Sequence, residues 1–182
     1  MCDGTRVTIR DRIQGTVAAL TPLEIVDADA WTRWLNDPDT TRYLYGRRER
    51  PSGPVTWSEM LAWGRRMLAD PSRLAVGIED LSTGDVVGNA RLVPVFGGRA
   101  RFSIVIGEAA SRGRGLGTEA TRMICRYGFE QMRLREIVLE VDPRNEPALR
   151  AYRSVGFTPG QGWTMRLRAP SAAQRPDAAQ IA

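Results

Sequence analysis

Residues 98–130, GRARFSIVIGEAASRGRGLGTEATRMICRYGFE, constrain the fold more than any other stretch, because the apolar pattern changes inside them. RARFSIVIG reads as a β-strand rich in β-branched residues. Further on, Leu116, Ala120, Met123, Ile124 and Tyr127 recur at helical spacing. Between the two lie Gly113, Gly115 and Gly117, with Arg112 and Arg114 interleaved. A helix start offers unpaired N–H groups and a partial positive charge. Glycines let that backbone turn sharply and approach a ligand. Such a strand–loop–helix suits a phosphate or pyrophosphate, to which the two guanidiniums add charge. The plain alternative is a glycine-rich turn with solvated arginines.

The rest of the chain sets this unit in an α/β (α+β) domain. A strand is expected at 16–22, then a helix from an Asp27 cap with Ala28, Trp31, Trp34 and Leu35 on one face. NDPD at 36–39 ends that helix, and 47–54 read as a loop. A second amphipathic helix covers 56–71, with Trp57 and Trp63 expected in the core. RLAVGIED, STGD and VVGNARLVPV form an antiparallel hairpin, and RARFSIVIG adds a third strand. After the glycine loop and its helix come a strand at 136–142, a helix at 145–156 between an Asn145 cap and Gly156, and a strand at 162–168. The expected architecture is a mixed, mostly antiparallel sheet with a strand–helix–strand core and flanking helices. Residues 1–12 are expected to be poorly ordered, 13–168 to form a single domain, and 169–182 to be a disordered tail.

Known phosphate loops can be tested on spacing. A Walker-A loop needs Gly-Lys-Ser/Thr, and the chain has no lysine. A dinucleotide fingerprint fits from Gly115 through Gly117 to Ala120, but it belongs after the first strand of a parallel unit, not after an antiparallel meander. RGRGLG, residues 112–117, reads R-x-x-G-x-G and resembles the pyrophosphate loop of the GNAT superfamily of acyl-CoA-dependent N-acetyltransferases. VLEVDPRNEPALRAYRSVGF, residues 138–157, is similar to the strand, helix and turn that follow in that family, including N-x-x-A-x-x-x-Y-x-x-x-G-F. Residues 22–44 resemble the front end of the subgroup that includes ribosomal-protein N-terminal acetyltransferases.

The resemblance implies transfer of an acetyl group from acetyl-CoA to a primary amine by direct attack on the thioester. The acceptor would be a small amine (aminosugar, antibiotic, polyamine or amino-acid-like) or a protein N-terminus. Arg112, Gly113, Arg114, Gly115, Leu116, Gly117 and Thr118 would hold the CoA pyrophosphate. Backbone at Val105 and Ile106 would pair with the pantetheine arm, where the strand opens away from 136–142, and Asn145 would touch the arm while capping its helix. Tyr152 would be the general acid. Its plain alternative is a packed tyrosine, as a helix cap alone is the alternative for Asn145. Arg101 stands where relatives often carry Glu. Glu108 is the nearby candidate base, with a loop carboxylate beside the arginines as its plain alternative. Glu24, Glu59 and Glu140 are further acids with solvation as theirs, and loss of the amine proton through water or binding of an already neutral amine stays open. The acceptor is expected near 36–45 and the 46–58 loop and helix, with Asn36, Asp37, Arg42 and Tyr43 lining it, and with turn for DP and core for YLY as the plain alternative. Relatives are often dimers, so a homodimer is implied.

Composition narrows the chemistry. All 26 basic residues are arginine and there is no histidine, so neither His nor Lys can act as base, metal ligand or Schiff-base former. Two cysteines, Cys2 and Cys125, make neither a zinc site nor a disulfide framework, and no metal is expected. The net charge of +5 suits acidic ligands. The arginines are nonetheless scattered among 21 acids without interleaved stacking aromatics, which argues against nucleic acid. No stretch reads as a membrane span and the N-terminus lacks a signal-peptide core, so a cytoplasmic location is expected. Arg101 in place of an acid keeps a non-catalytic acyl-CoA sensor as the alternative function.

Overall fold

The computed structural model describes residues 11–24, 27–44 and 53–170. The nominated N-terminal segment (all but its last two residues), much of the 47–54 loop, Cys2 and the tail beyond 170 lie outside the described residues. In chain order the elements are β1 (Ile13–Gln14), β2 (Ala18–Pro22), α1 (Ala28–Asn36), α2 (Pro38–Thr41), α3 (Trp57–Ala69), β3 (Leu74–Asp80), β4 (Val86–Val95) and β5 (Arg99–Ile106). A 3-10 turn at Ala109–Ser111 then leads into α4 (Leu116–Glu130), followed by β6 (Glu136–Glu140), α5 (Glu146–Val155), β7 (Thr158–Pro159) and β8 (Thr164–Arg168).

Among the described residues the strands form one eight-stranded sheet in the order β1-β2-β3-β4-β5-β6-β8-β7. Every pairing is antiparallel except β5 with β6. Alternation gives the sheet two working faces. Leu74, Val76 and Ile78 of β3, Ala90 and Leu92 of β4 and Phe102 of β5 join Leu116, Ala120 and Ile124 of α4 in the main core. On the other face, Ala75 and Val86 meet a second cluster of Trp31 and Trp34 from α1 and Met67 from α3.

Local chemistry explains most boundaries. Thr56 caps α3 in a reciprocal capping box with Glu59. Asn145 caps α5 by accepting from the Ala148 N–H at 3.3 Å. Glu119, in the first turn of α4, accepts from the N–H groups of Thr16, Val17 and Ala18, each at 2.7 Å, and so ties the start of β2 to the helix. Burial pushes the Glu119 carboxyl up, but these backbone donors outweigh it and the pKa ends below its ordinary value.

Four expectations need correction. Asp27 precedes α1 but makes no cap hydrogen bond. NDPD does end α1, yet Pro38 opens a further turn, α2, because Asp37 accepts from the N–H groups of Asp39 and Thr40. Trp57 is 50% exposed and not core, as the first residue of α3. Trp63 is half-buried and packs edge-on against Trp31, with ring centroids 5.1 Å apart. The two-residue strand β7 gave no sequence signal.

Candidate active site

The glycine loop between β5 and α4 is held open from both flanks. Gly113 and Gly115 have φ of 74° and 90°, a region in which a side chain is strained. Gly115 sits at the N-cap of α4. Among the described residues, the backbone N–H groups of 113–118 donate no hydrogen bond. Six donors without a partner among the described residues therefore follow one another at this helix start.

The two loop arginines do a different job from the one expected of them. Arg112 donates to the carbonyls of Ile106 and Gly107 at 3.1 and 2.8 Å and to the Thr40 hydroxyl at 2.6 Å, and it stands 3.5 Å from Asp37. Arg114 pairs with Asp80 and donates to the Ser82 hydroxyl at 2.8 Å. Asp80, fully buried, also accepts from the Ser82 N–H and hydroxyl and from the Ser111 hydroxyl. These bonds, those from Ser82 foremost and then Arg114 and Ser111, hold its pKa down at about 2. Both guanidiniums are thus staples between the loop and neighbouring turns, and the groups free to meet an anion are backbone N–H.

Below the loop the sheet splits. Parallel pairing of β5 with β6 is confined to Arg99–Glu136, Ala100–Ile137 and Arg101–Val138. Beyond it the strands diverge around a cleft of about 830 Å³. Val105 and Ile106 line this cleft without a partner from β6, and Ile106 turns its carbonyl to Arg112. The far wall is α5, with Asn145 and Tyr152. Tyr152 stacks edge-on to Phe102 at 6.2 Å, and among the described residues its hydroxyl makes no hydrogen bond. Burial raises its pKa to about 12, with a smaller contribution from Cys125.

A second cavity of about 490 Å³ lies on the face of β5 toward α1 and α3. The two cavities share Phe102–Val105, Tyr43, Leu44 and Glu140. Of the four residues expected to line the acceptor site, only Tyr43 reaches this cavity. Asn36 is fully engaged with the Val55 backbone, accepting from its N–H and donating to its carbonyl, both at 2.7 Å. Asp37 caps α2, and Arg42 turns outward to Asp39 at 2.8 Å.

Glu108 is absent from both cavity walls. Its carboxylate accepts from Trp34 Nε1 at 2.8 Å and pairs with Arg33, and these interactions, the Trp34 bond first, lower its pKa. A carboxylate so engaged is a poor base near neutrality, and its role is to fix α1 against the end of β5. Among the described residues, the one carboxylate that lines both cavities is Glu140, at the end of β6. The alternation of EIVLE, which puts Glu140 on the same strand face as Glu136, was the signal for it.

Among the described residues no cluster of His, Cys, Asp or Glu is arranged for a metal. No helix there is long and apolar enough to cross a membrane.

Comparison with known proteins agrees with this geometry. The acetyltransferase (GNAT) domain profile matches residues 18–158. An uncharacterised N-acetyltransferase of Bacillus licheniformis is 25% identical over 146 residues, which is 76% of this chain and 77% of that one. An N-acetyltransferase 9-like protein of Nematostella vectensis is 37% identical over 59 residues, but the matched stretch is only 30% of its length and 32% of this chain. The Vibrio cholerae spermidine N-acetyltransferase, solved with CoA and spermine, superposes with a TM-score of 0.71 at 18% identity, covering 85% of this chain and 96% of that one. With an open strand edge, a stapled glycine loop and a profile match spanning most of the fold, the chain belongs to the GNAT family of acetyltransferases.

Proposed function

We propose that the protein transfers an acetyl group from acetyl-CoA to a primary amine. The observation that carries this is the run of backbone N–H groups at 113–118 that have no acceptor among the described residues, with Gly113, Gly115, Gly117 and Thr118 lining the cleft between β5 and β6. That donor set fits a pyrophosphate without needing a lysine. Acetyl-CoA, when bound, supplies the acyl group as a thioester.

The chain's own residues account for the rest. The open edge at Val105 and Ile106 offers backbone groups for an extended arm and donors for the thioester carbonyl. Asn145 stands on the α5 wall and keeps that helix start in place. Tyr152 holds its proton at every working pH because burial favours the neutral phenol. Its part is therefore a hydrogen bond to the departing sulfur. Glu140, where the cavities meet, takes the amine proton directly or through water. The single domain at 13–168, a cytoplasmic location and the homodimer belong to the same proposal.

The test is release of free thiol from acetyl-CoA in the presence of an amine mixture, with the product identified by mass. Acetylated amine stoichiometric with thiol is expected. Acetyl-CoA binding without thiol release for any amine would favour the non-catalytic sensor.

A further inference from the structure

The acceptor cavity carries a charge that speaks to its substrate. On β4 and β5, Arg91 stands opposite Ser103 and Val93 opposite Arg101, so alternation puts both arginines on the face that floors the cavity. Arg66 reaches the cavity from α3 and Arg73 from the turn that follows. Among the described residues, four guanidiniums from separate places in the sequence thus line about 490 Å³, against one carboxylate, Glu140.

The surroundings separate their roles. Arg73 pairs with Asp70 at 2.7 Å. Arg91 donates to the Ser103 hydroxyl at 2.7 Å and lies 5.4 Å from the Trp63 ring centroid. Arg66 and Arg101 make no ion pair among the described residues, and both are exposed. Trp31, Trp34 and Trp63 supply apolar wall beside them. Such a cavity disfavours a polycation, because each added ammonium meets the combined positive field of several guanidiniums. It attracts an anionic group, which guanidinium forks bind bidentately.

Resting on the acetyltransferase reading, we propose that the acceptor is a small primary amine that also carries a carboxylate or phosphate, its anionic group held by Arg66 and Arg101 and its amine turned toward Glu140. The volume suits a small molecule.

The test compares matched amines as acceptors with the full chain and acetyl-CoA: phenethylamine against phenylalanine, glucosamine against glucosamine 6-phosphate, and spermidine. The acid-bearing member of at least one pair is expected to show kcat/KM about tenfold or more above its neutral partner, as charge-assisted hydrogen bonds allow. The preferred pair tells carboxylate from phosphate. In the R66Q/R101Q variant KM for that amine rises about tenfold or more, while KM for acetyl-CoA and the melting temperature of the CoA-saturated protein stay unchanged. Exposed arginines without ion pairs can be replaced without stranding a buried charge.

Spermidine or the neutral amines turned over as well as the acid-bearing ones would overturn the inference, as would a preference that survives the variant. If no amine of the panel is acetylated, the melt of CoA-saturated protein decides. Stabilisation by phenylalanine or glucosamine 6-phosphate, absent in the variant, supports the inference, and no stabilisation by either overturns it. Failure of CoA itself to stabilise the protein would bring down the acetyltransferase reading with it.

Discussion

Tyr152 and Asp80 are the two residues whose surroundings make the sharpest demands. Tyr152→Phe removes one hydroxyl that has no partner among the described residues, so stability and acetyl-CoA affinity should hold. Loss of a hydrogen bond to a developing thiolate should lower kcat roughly 10- to 100-fold. Steady-state kinetics with a melting curve of the variant checks both, and wild-type turnover would make Tyr152 a packing residue. Because its pKa is raised to about 12, no loss of wild-type kcat below about pH 11 should trace to this group. Asp80 shifts the other way, from 3.8 to about 2. A depressed pKa means that the carboxylate's contribution is complete above its unfolded value and is lost as pH falls through the folded one. The melting-temperature gap between wild type and Asp80→Asn should therefore be full above about pH 4 and close as the pH approaches 2. A gap independent of pH would mean that Asp80 acts through shape alone.

At the level of elements, the packing of α1 against β5 turns on Gly107, where an added Cβ would fall 2.0 Å from the Trp34 ring. Gly107→Ala should destabilise the protein by about 1–3 kcal/mol, and denaturant unfolding would measure it. Glu119→Ala, which leaves three N–H groups at the start of β2 without their acceptor, should cost on the order of 3 kcal/mol by the same measurement. These elements also show what a sequence discloses. The meander, α4, β6 and α5 follow from period and caps, because local chemistry decides them. The loop was legible too, since only glycine serves at Gly113 and Gly115. What the loop arginines touch was not legible, because Asp80 and Thr40 lie 34 and 72 residues from their partners. Separation in sequence, 19 and 74 residues, likewise hid the engagement of Asn36 by Val55 and of Glu108 by Trp34. Arg101 could be read as a missing acid, but its convergence with Arg66 and Arg91 exists only once β4, β5 and α3 are assembled.

Across the molecule, the one parallel pairing among the described strands is what opens the sheet. It joins β5 to β6 over three residue pairs and then lets go, leaving one cavity on each side of an open strand. The net charge of +5 is consistent with an anionic donor, but stapling by Asp37 and Asp80 turns two of the nearest cations into structure. The affinity of the donor cleft should then depend more on backbone geometry than on salt. The most direct measurement is the thermal melt of the full chain with acetyl-CoA, CoA and ATP in parallel. Either CoA species at ~100 times its dissociation constant should add roughly 2.7 kcal/mol of stability, raising the melting temperature by about 5–10 °C, while ATP at the same concentration adds little. No shift with acetyl-CoA or CoA would contradict the account, since the six loop donors would then hold no pyrophosphate.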